Sequence, residues 1–148
     1  SELRSGFTRI TAKSLYDKQT GYGWKSRDGL KEHYQPYTRE WQVSESRGRA
    51  LPPPIYANEI TCDAIYSQKP NSFLVDVTPG RYLVYLLAGR SSGAPREYHW
   101  FDVAAGSGRT TVKIPGPYQF EKRELRVAVQ GGQLSVDFLP KTDWMIER

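Results

Sequence analysis

Cysteine, methionine and histidine are almost missing from this 148-residue chain, which has one Cys, one Met and two His. The lone Cys62 excludes an internal disulfide and any paired-cysteine metal site, and it leaves the redox compartment open. With only His33 and His99, metal centres and catalytic triads are restricted. There is no Gly-x-Ser-x-Gly elbow, no His-Glu-x-x-His pair and no phosphate-cradling glycine loop. A glycosidase-like pair of carboxylates leaves no sequence signature, so the 16 acidic residues neither support nor exclude one. No run approaches the roughly 18 apolar residues of a membrane span. Ser1 to Leu3 read as a linker or remnant, and the lack of a secretory leader ahead of them says nothing about a longer protein. The formal charge of +5 attracts anionic partners, but the basic residues are scattered from Arg4 to Arg148 as on an ordinary solvated surface.

What the chain does have is glycine (13), proline (10) and aromatics (10 Tyr, 5 Phe, 4 Trp). That balance suits short strands and tight turns, and the aromatics supply ample surface for a core. The length fits a single domain, 1–148, with roughly two-thirds of the unfolded surface buried. Phe73, Val75 and Val77 alternate with Leu74 and Asp76 and stop at Pro79-Gly80, which predicts a half-buried strand ending in a turn. Tyr82 to Leu87 is apolar on both parities, as expected of a central strand covered on both faces. His99, Phe101 and Val103 alternate with Tyr98, Trp100 and Asp102. Val112 and Ile114 mark a strand ended by Pro115-Gly116-Pro117.

Leu125, Val127 and Val129 are followed by Gly131-Gly132 and then Leu134, Val136 and Phe138, a pattern that predicts a β-hairpin with a glycine turn. A last short strand is expected around Trp144 and Ile146. Ile60, Cys62, Ala64 and Tyr66 share one parity, which makes Cys62 a small core residue. Phe7 to Tyr16 holds strand-like pieces, whereas Gly21 to Pro54 shows no sustained period and reads as a long irregular segment.

Several blocks resemble the galactose-binding-like β-sandwich modules found beside polysaccharide lyases, glycoside hydrolases and carbohydrate esterases in bacterial secreted enzymes. They are Gly6-Phe7-Thr8-Arg9-Ile10 with Tyr16, then Gly21-Tyr22-Gly23-Trp24. Next comes Phe73-Leu74-Val75-Asp76-Val77 running through Pro79-Gly80-Arg81-Tyr82 to Gly89. Last is Gly132-Gln133-Leu134-Ser135-Val136-Asp137-Phe138 with Trp144. The family's Gly-Asp pair after the Val/Leu strand is Gly89-Arg90 here. The resemblance implies an all-β jelly-roll sandwich of two antiparallel sheets that holds sugar on loops or an open face. It also implies a secreted or cell-surface location, and some relatives carry a structural calcium ion. No acidic cluster of calcium-loop spacing stands in this sequence, and no other cofactor is implied.

Sugar rings present flat C–H patches to aromatic side chains, and Arg, Asn, Asp and His hold the hydroxyls. If His99, Phe101 and Val103 face the core, Tyr98 and Trp100 share the opposite face with Asp102. They form either a stacking platform, with Arg90, Arg96 and His99 near its approach, or a surface packed under the Gly21 to Pro54 segment. Tyr34, Tyr37 and Trp41 either line a binding loop or pin that segment down. Tyr118 is a loop-tip candidate, while Tyr22, Trp24 and Trp144 read as packing residues.

The expected function is that of a non-catalytic carbohydrate-binding module. It would target an adjacent catalytic domain to a polysaccharide or oligosaccharide, with the positive charge tilting the ligand towards an acidic polymer. A structural accessory domain that packs on a catalytic neighbour without binding sugar is the alternative. Single-stranded nucleic acid is a lesser one, and no membrane partner is implied.

Overall fold

The computed structural model describes residues 6–34, 63–89, 99–115 and 119–147. The described residues form ten strands: β1 (Tyr22–Trp24), β2 (Lys31–Tyr34), β3 (Asp63–Ser67), β4 (Asn71–Asp76), β5 (Gly80–Gly89), β6 (His99–Ala105), β7 (Gly108–Ile114), β8 (Phe120–Val129), β9 (Gln133–Pro140) and β10 (Trp144–Glu147). These make two five-stranded sheets, ordered β1-β4-β9-β6-β7 (sheet A) and β2-β3-β10-β5-β8 (sheet B). All ladders are antiparallel. The protein is therefore an all-β sandwich of two antiparallel sheets. Among the described residues no helix is long and apolar enough to cross a membrane.

The core follows from strand parity, because alternate side chains of each strand point between the sheets. Phe101 and Val103 of β6 and Val112 and Ile114 of β7 are all 0% exposed. Val127 and Val129 of β8 meet them from the opposite sheet, together with Leu86 and Ala88 of β5. An aromatic group fills the other part of the core. Phe138 stacks on Trp144 with centroids 4.8 Å apart, and Trp24 meets Trp144 at 5.4 Å and the edge of Phe73 at 5.1 Å. Trp144 also donates its indole N–H to the Lys69 carbonyl at 2.8 Å, so its polar edge is satisfied inside the core. Both tryptophans are thus packing residues, as their sequence blocks suggest.

The Gly131-Gly132 hairpin does not form. β8 pairs with β5 in sheet B, whereas β9 pairs with β4 and β6 in sheet A. The glycine link is an arch that carries the chain from one sheet to the other. Only Gly132 of the two takes a positive φ, 78°. Both flanking strands still turn their apolar parity inward, which is why the local pattern looks like a hairpin.

β5 also departs from expectation. It lies one strand from the edge of sheet B, and only its inner face is covered: Leu83 and Tyr85 are each 55% exposed on the outer face. The Gly21 to Pro54 segment is less irregular than its composition suggests, since β1 and β2 both lie in its first part. Phe7 to Tyr16 contributes only the isolated bridge of Leu15 to Trp24. Cys62 lies outside the described residues, although Ala64 on its parity is buried.

Candidate ligand-binding face

β6 decides the site, since its residues alternate strictly between buried and half-buried. Phe101, Val103 and Ala105 go inward, so Trp100, Asp102 and Ala104 stand on the outer face of sheet A. The register sets Lys113, Thr111 and Arg109 of β7 directly beside them. On the other flank Leu139 and Asp137 of β9 lie opposite Asp102 and Ala104, and Ser135 lies further along β9, opposite Leu74. The outer face thus sets one large aromatic ring beside amines, carboxylates and hydroxyls.

The turn between β9 and β10 fixes the Trp100 backbone. The Trp100 carbonyl accepts from the amides of Lys141 (2.8 Å) and Thr142 (3.1 Å), and its own N–H donates to Thr142 Oγ1 at 3.0 Å. These bonds bring the Lys141 ammonium to 4.9 Å from the Trp100 ring centroid. The Lys113 ammonium lies 4.7 Å from the same centroid. Cations at this range are attracted by the ring's negative face. Two positive charges therefore stand against the half-buried Trp100 ring.

Asp102 supplies the acceptor. Thr111 Oγ1 donates to Oδ1 at 2.6 Å, and Lys141 Nζ lies 3.4 Å from Oδ2. The Thr111 hydrogen bond holds this carboxyl below the usual carboxylate range; desolvation opposes it and is outweighed by that bond together with Lys141 and Arg109. A depressed carboxyl stabilises the fold above its ordinary pKa, and that contribution is lost as pH falls through the lowered value. Thr111→Val is expected to raise the Asp102 midpoint towards the ordinary value in a carboxyl carbon-13 NMR titration. An unmoved midpoint would show that the threonine bond is not the main cause.

His99 requires a correction. Expected near the approach to the platform, it instead faces the interior with its side chain 3% exposed, because the alternation that exposes Trp100 sends its neighbour inward. Its Nδ1 lies 2.7 Å from Asp143 Oδ1. His99 thus acts as a positioning residue, holding Asp143 and through it the turn that carries Lys141 and Thr142. Tyr34 closes β2 opposite Asp63, in the other sheet from Trp100. Arg90, Arg96, Tyr98, Tyr37, Trp41 and Tyr118 lie outside the described residues.

Lys113, Thr111 and Lys141, which surround Trp100 and Asp102, are not singled out by the sequence. Only Asp102 was signalled, by its parity with Trp100. For the calcium ion that the resemblance allows, the described residues contain no group of three His, Cys, Asp or Glu side chains suited to a metal ion.

Comparison with solved structures places the architecture. The fold is similar to part of protein YXIM_BACsu from Bacillus subtilis. That alignment covers 99% of this chain and 37% of the YXIM_BACsu chain, with a TM-score of 0.59 and 17% identity, a likeness of fold alone. The chain thus spans about a third of that protein's length. TmCBM61, solved in complex with β-1,4-galactotriose, aligns over 87% of this chain and 88% of its own, with 15% identity and a TM-score of 0.38. At that score the likeness carries no inference. No protein-family model and no curated protein sequence matches the chain.

Proposed function

We propose that the protein is a non-catalytic carbohydrate-binding module whose outer face of sheet A, centred on Trp100, holds a polysaccharide chain. The observation that carries this reading is the Trp100 ring, half-buried, clamped through its backbone and flanked by Lys113, Lys141, Asp102 and Thr111. A rigid aromatic plate loses little entropy on stacking against a sugar's C–H face. The carboxylate and hydroxyl beside it accept and donate to ring hydroxyls, and the two ammonium groups favour a sugar bearing a carboxylate. The ligand class is therefore an acidic polysaccharide.

The family resemblance supplies the setting: a bacterial secreted or cell-surface protein in which the module lies next to a catalytic domain. Weak affinity at one face is multiplied by tethering to that neighbour.

The test is native gel retention in neutral and acidic polysaccharides, followed by calorimetry on whichever retards the protein. Trp100→Ala is expected to weaken binding at least tenfold with an unchanged thermal melt. Lys113→Gln combined with Lys141→Gln should weaken acidic polymers selectively. Retention that survives Trp100→Ala would remove the residue from the site. Silence across the panel would favour the structural accessory domain.

A further inference from the structure

The outer face of sheet A continues beyond the Trp100 ring. Along β6 the outward side chains are Trp100, Asp102 and Ala104, so the strand falls from a large ring to a single methyl group over about 13 Å. β7 walls one side with Lys113, Thr111 and Arg109, each exposed and each directly opposite one of those three. β9 walls the other side with Leu139 opposite Asp102 and Asp137 opposite Ala104. The result is a trough that runs along the strands, with cationic groups at both ends.

The Ala104 end has its own chemistry. Arg109 and Asp137 stand on either side of Ala104, two strand spacings or about 10 Å apart, and only a methyl group projects between them. Arg109 acts on Asp102 through its charge, whereas Lys141 comes within 3.4 Å of that carboxylate. Asp137 is half-buried and held in place: Ser135 Oγ donates to its Oδ1 at 2.7 Å. A guanidinium fork matches a carboxylate in two parallel hydrogen bonds, and a fixed carboxylate accepts from a hydroxyl. Stacking is built into one end of the trough and hydrogen bonding into the other.

Resting on the carbohydrate-binding reading of Trp100, we infer that Arg109, Ala104 and Asp137 form a second sugar subsite on the same face. An acidic polysaccharide then lies along β6, with one unit on Trp100 and the carboxylate of a later unit on Arg109, while Asp137 accepts from that unit's hydroxyls. The direction follows from the strands. β9 ends at Pro140, opposite Phe101, so the Trp100 rung has no further β9 residue beside it, whereas the polar rungs continue along β6. Subsites about 13 Å apart are out of reach of a single sugar, so affinity depends on the length of the chain as well as on its charge.

The experiment uses the 148-residue protein, the acidic polysaccharide that retards it in native gels, and the oligomers of that polymer from dimer to octamer, measured by calorimetry. Affinity should step up about tenfold once an oligomer spans both subsites, the worth of one charge-assisted contact. Arg109→Gln is expected to abolish the step with an unchanged thermal melt, because this side chain is exposed. Asp137→Asn should lower the step about threefold. Long oligomers with their carboxylates reduced to alcohols should lack the step and be indifferent to Arg109→Gln.

An equal loss at every length in Arg109→Gln would assign the residue to the general positive field of the protein. A step that survives Arg109→Gln would place the distant contact elsewhere. Either result overturns the second subsite, as do oligomers that bind through Trp100 with no length dependence, an outcome that leaves the Trp100 reading standing. Silence of polymer and oligomers alike removes that reading and the second subsite with it.

Discussion

Replacing Trp144 with alanine is expected to destabilise the fold by about 4 kcal/mol, in the middle of the range for a buried aromatic. Trp144 is 0% exposed and joins the sheets where their aromatic side chains meet: it comes from β10 of sheet B and packs on Phe138 and Trp24 of sheet A. Truncation opens a cavity between large rings that have few rotamers with which to fill it. It also strands the Lys69 carbonyl, which loses the indole N–H donor. For a domain of this size the thermal midpoint should fall by about 10 °C or more, readable by circular dichroism. Trp144→Phe separates the two contributions, keeping most of the ring packing and losing only the hydrogen bond and part of the volume, for a cost of about 2 kcal/mol. A loss below about 1.5 kcal/mol for the alanine variant would mean that the site collapses freely, contrary to the packing described.

The second large effect is expected at Gly23. Its φ of 146° lies in a region that L side chains rarely adopt, and a Cβ there would sit 2.4 Å from the backbone of Leu15 and Tyr16. The neighbouring chain cannot move aside, because Ser14 and Tyr16 bond the two sides of Trp24: the Trp24 N–H donates to the Ser14 carbonyl at 2.8 Å and the Tyr16 N–H donates to the Trp24 carbonyl at 2.9 Å. Gly23→Ala combines backbone strain with overpacking, each of about 1–3 kcal/mol, so the expected loss is about 4 kcal/mol in urea unfolding. Gly131→Ala is the control. Nothing lies within 4 Å of a Cβ at that position, and the change should stay within about 0.5 kcal/mol. Equal effects at the two glycines would contradict the close approach described at Gly23.

These two positions show how unevenly the sequence discloses the structure. Gly23 and Trp24 stand in a block recognisable by its glycines, yet the strand they form is three residues long, too short for periodicity to reveal. β2, at four residues, was missed for the same reason. In β6 the facings of Trp100 to Val103 follow from the sequence, because an alternation with Phe and Val on one parity admits one pleat.

The candidate face divides along the same line. Trp100 and Asp102 were legible as neighbours on one face, since they are two residues apart on a strand. Lys113 and Lys141 were not, because they reach the ring from β7 and from the turn after β9. His99 was assigned to the ligand side despite its own parity, on the appeal of its chemistry, and alternation took it inward.

By itself the sequence determined the class of fold, the inward parity of the principal strands and the absence of recognisable catalytic motifs. All of these rest on local rules of period, turn chemistry and residue type. Only the tertiary structure decided which strands pair. Gly131-Gly132 joins two sheets instead of two neighbours, and β5 leaves Leu83 and Tyr85 exposed on its outer face. Pairing partners are chosen by burial summed over residues distant in the chain, and an apolar run reads the same whether one face or both are covered.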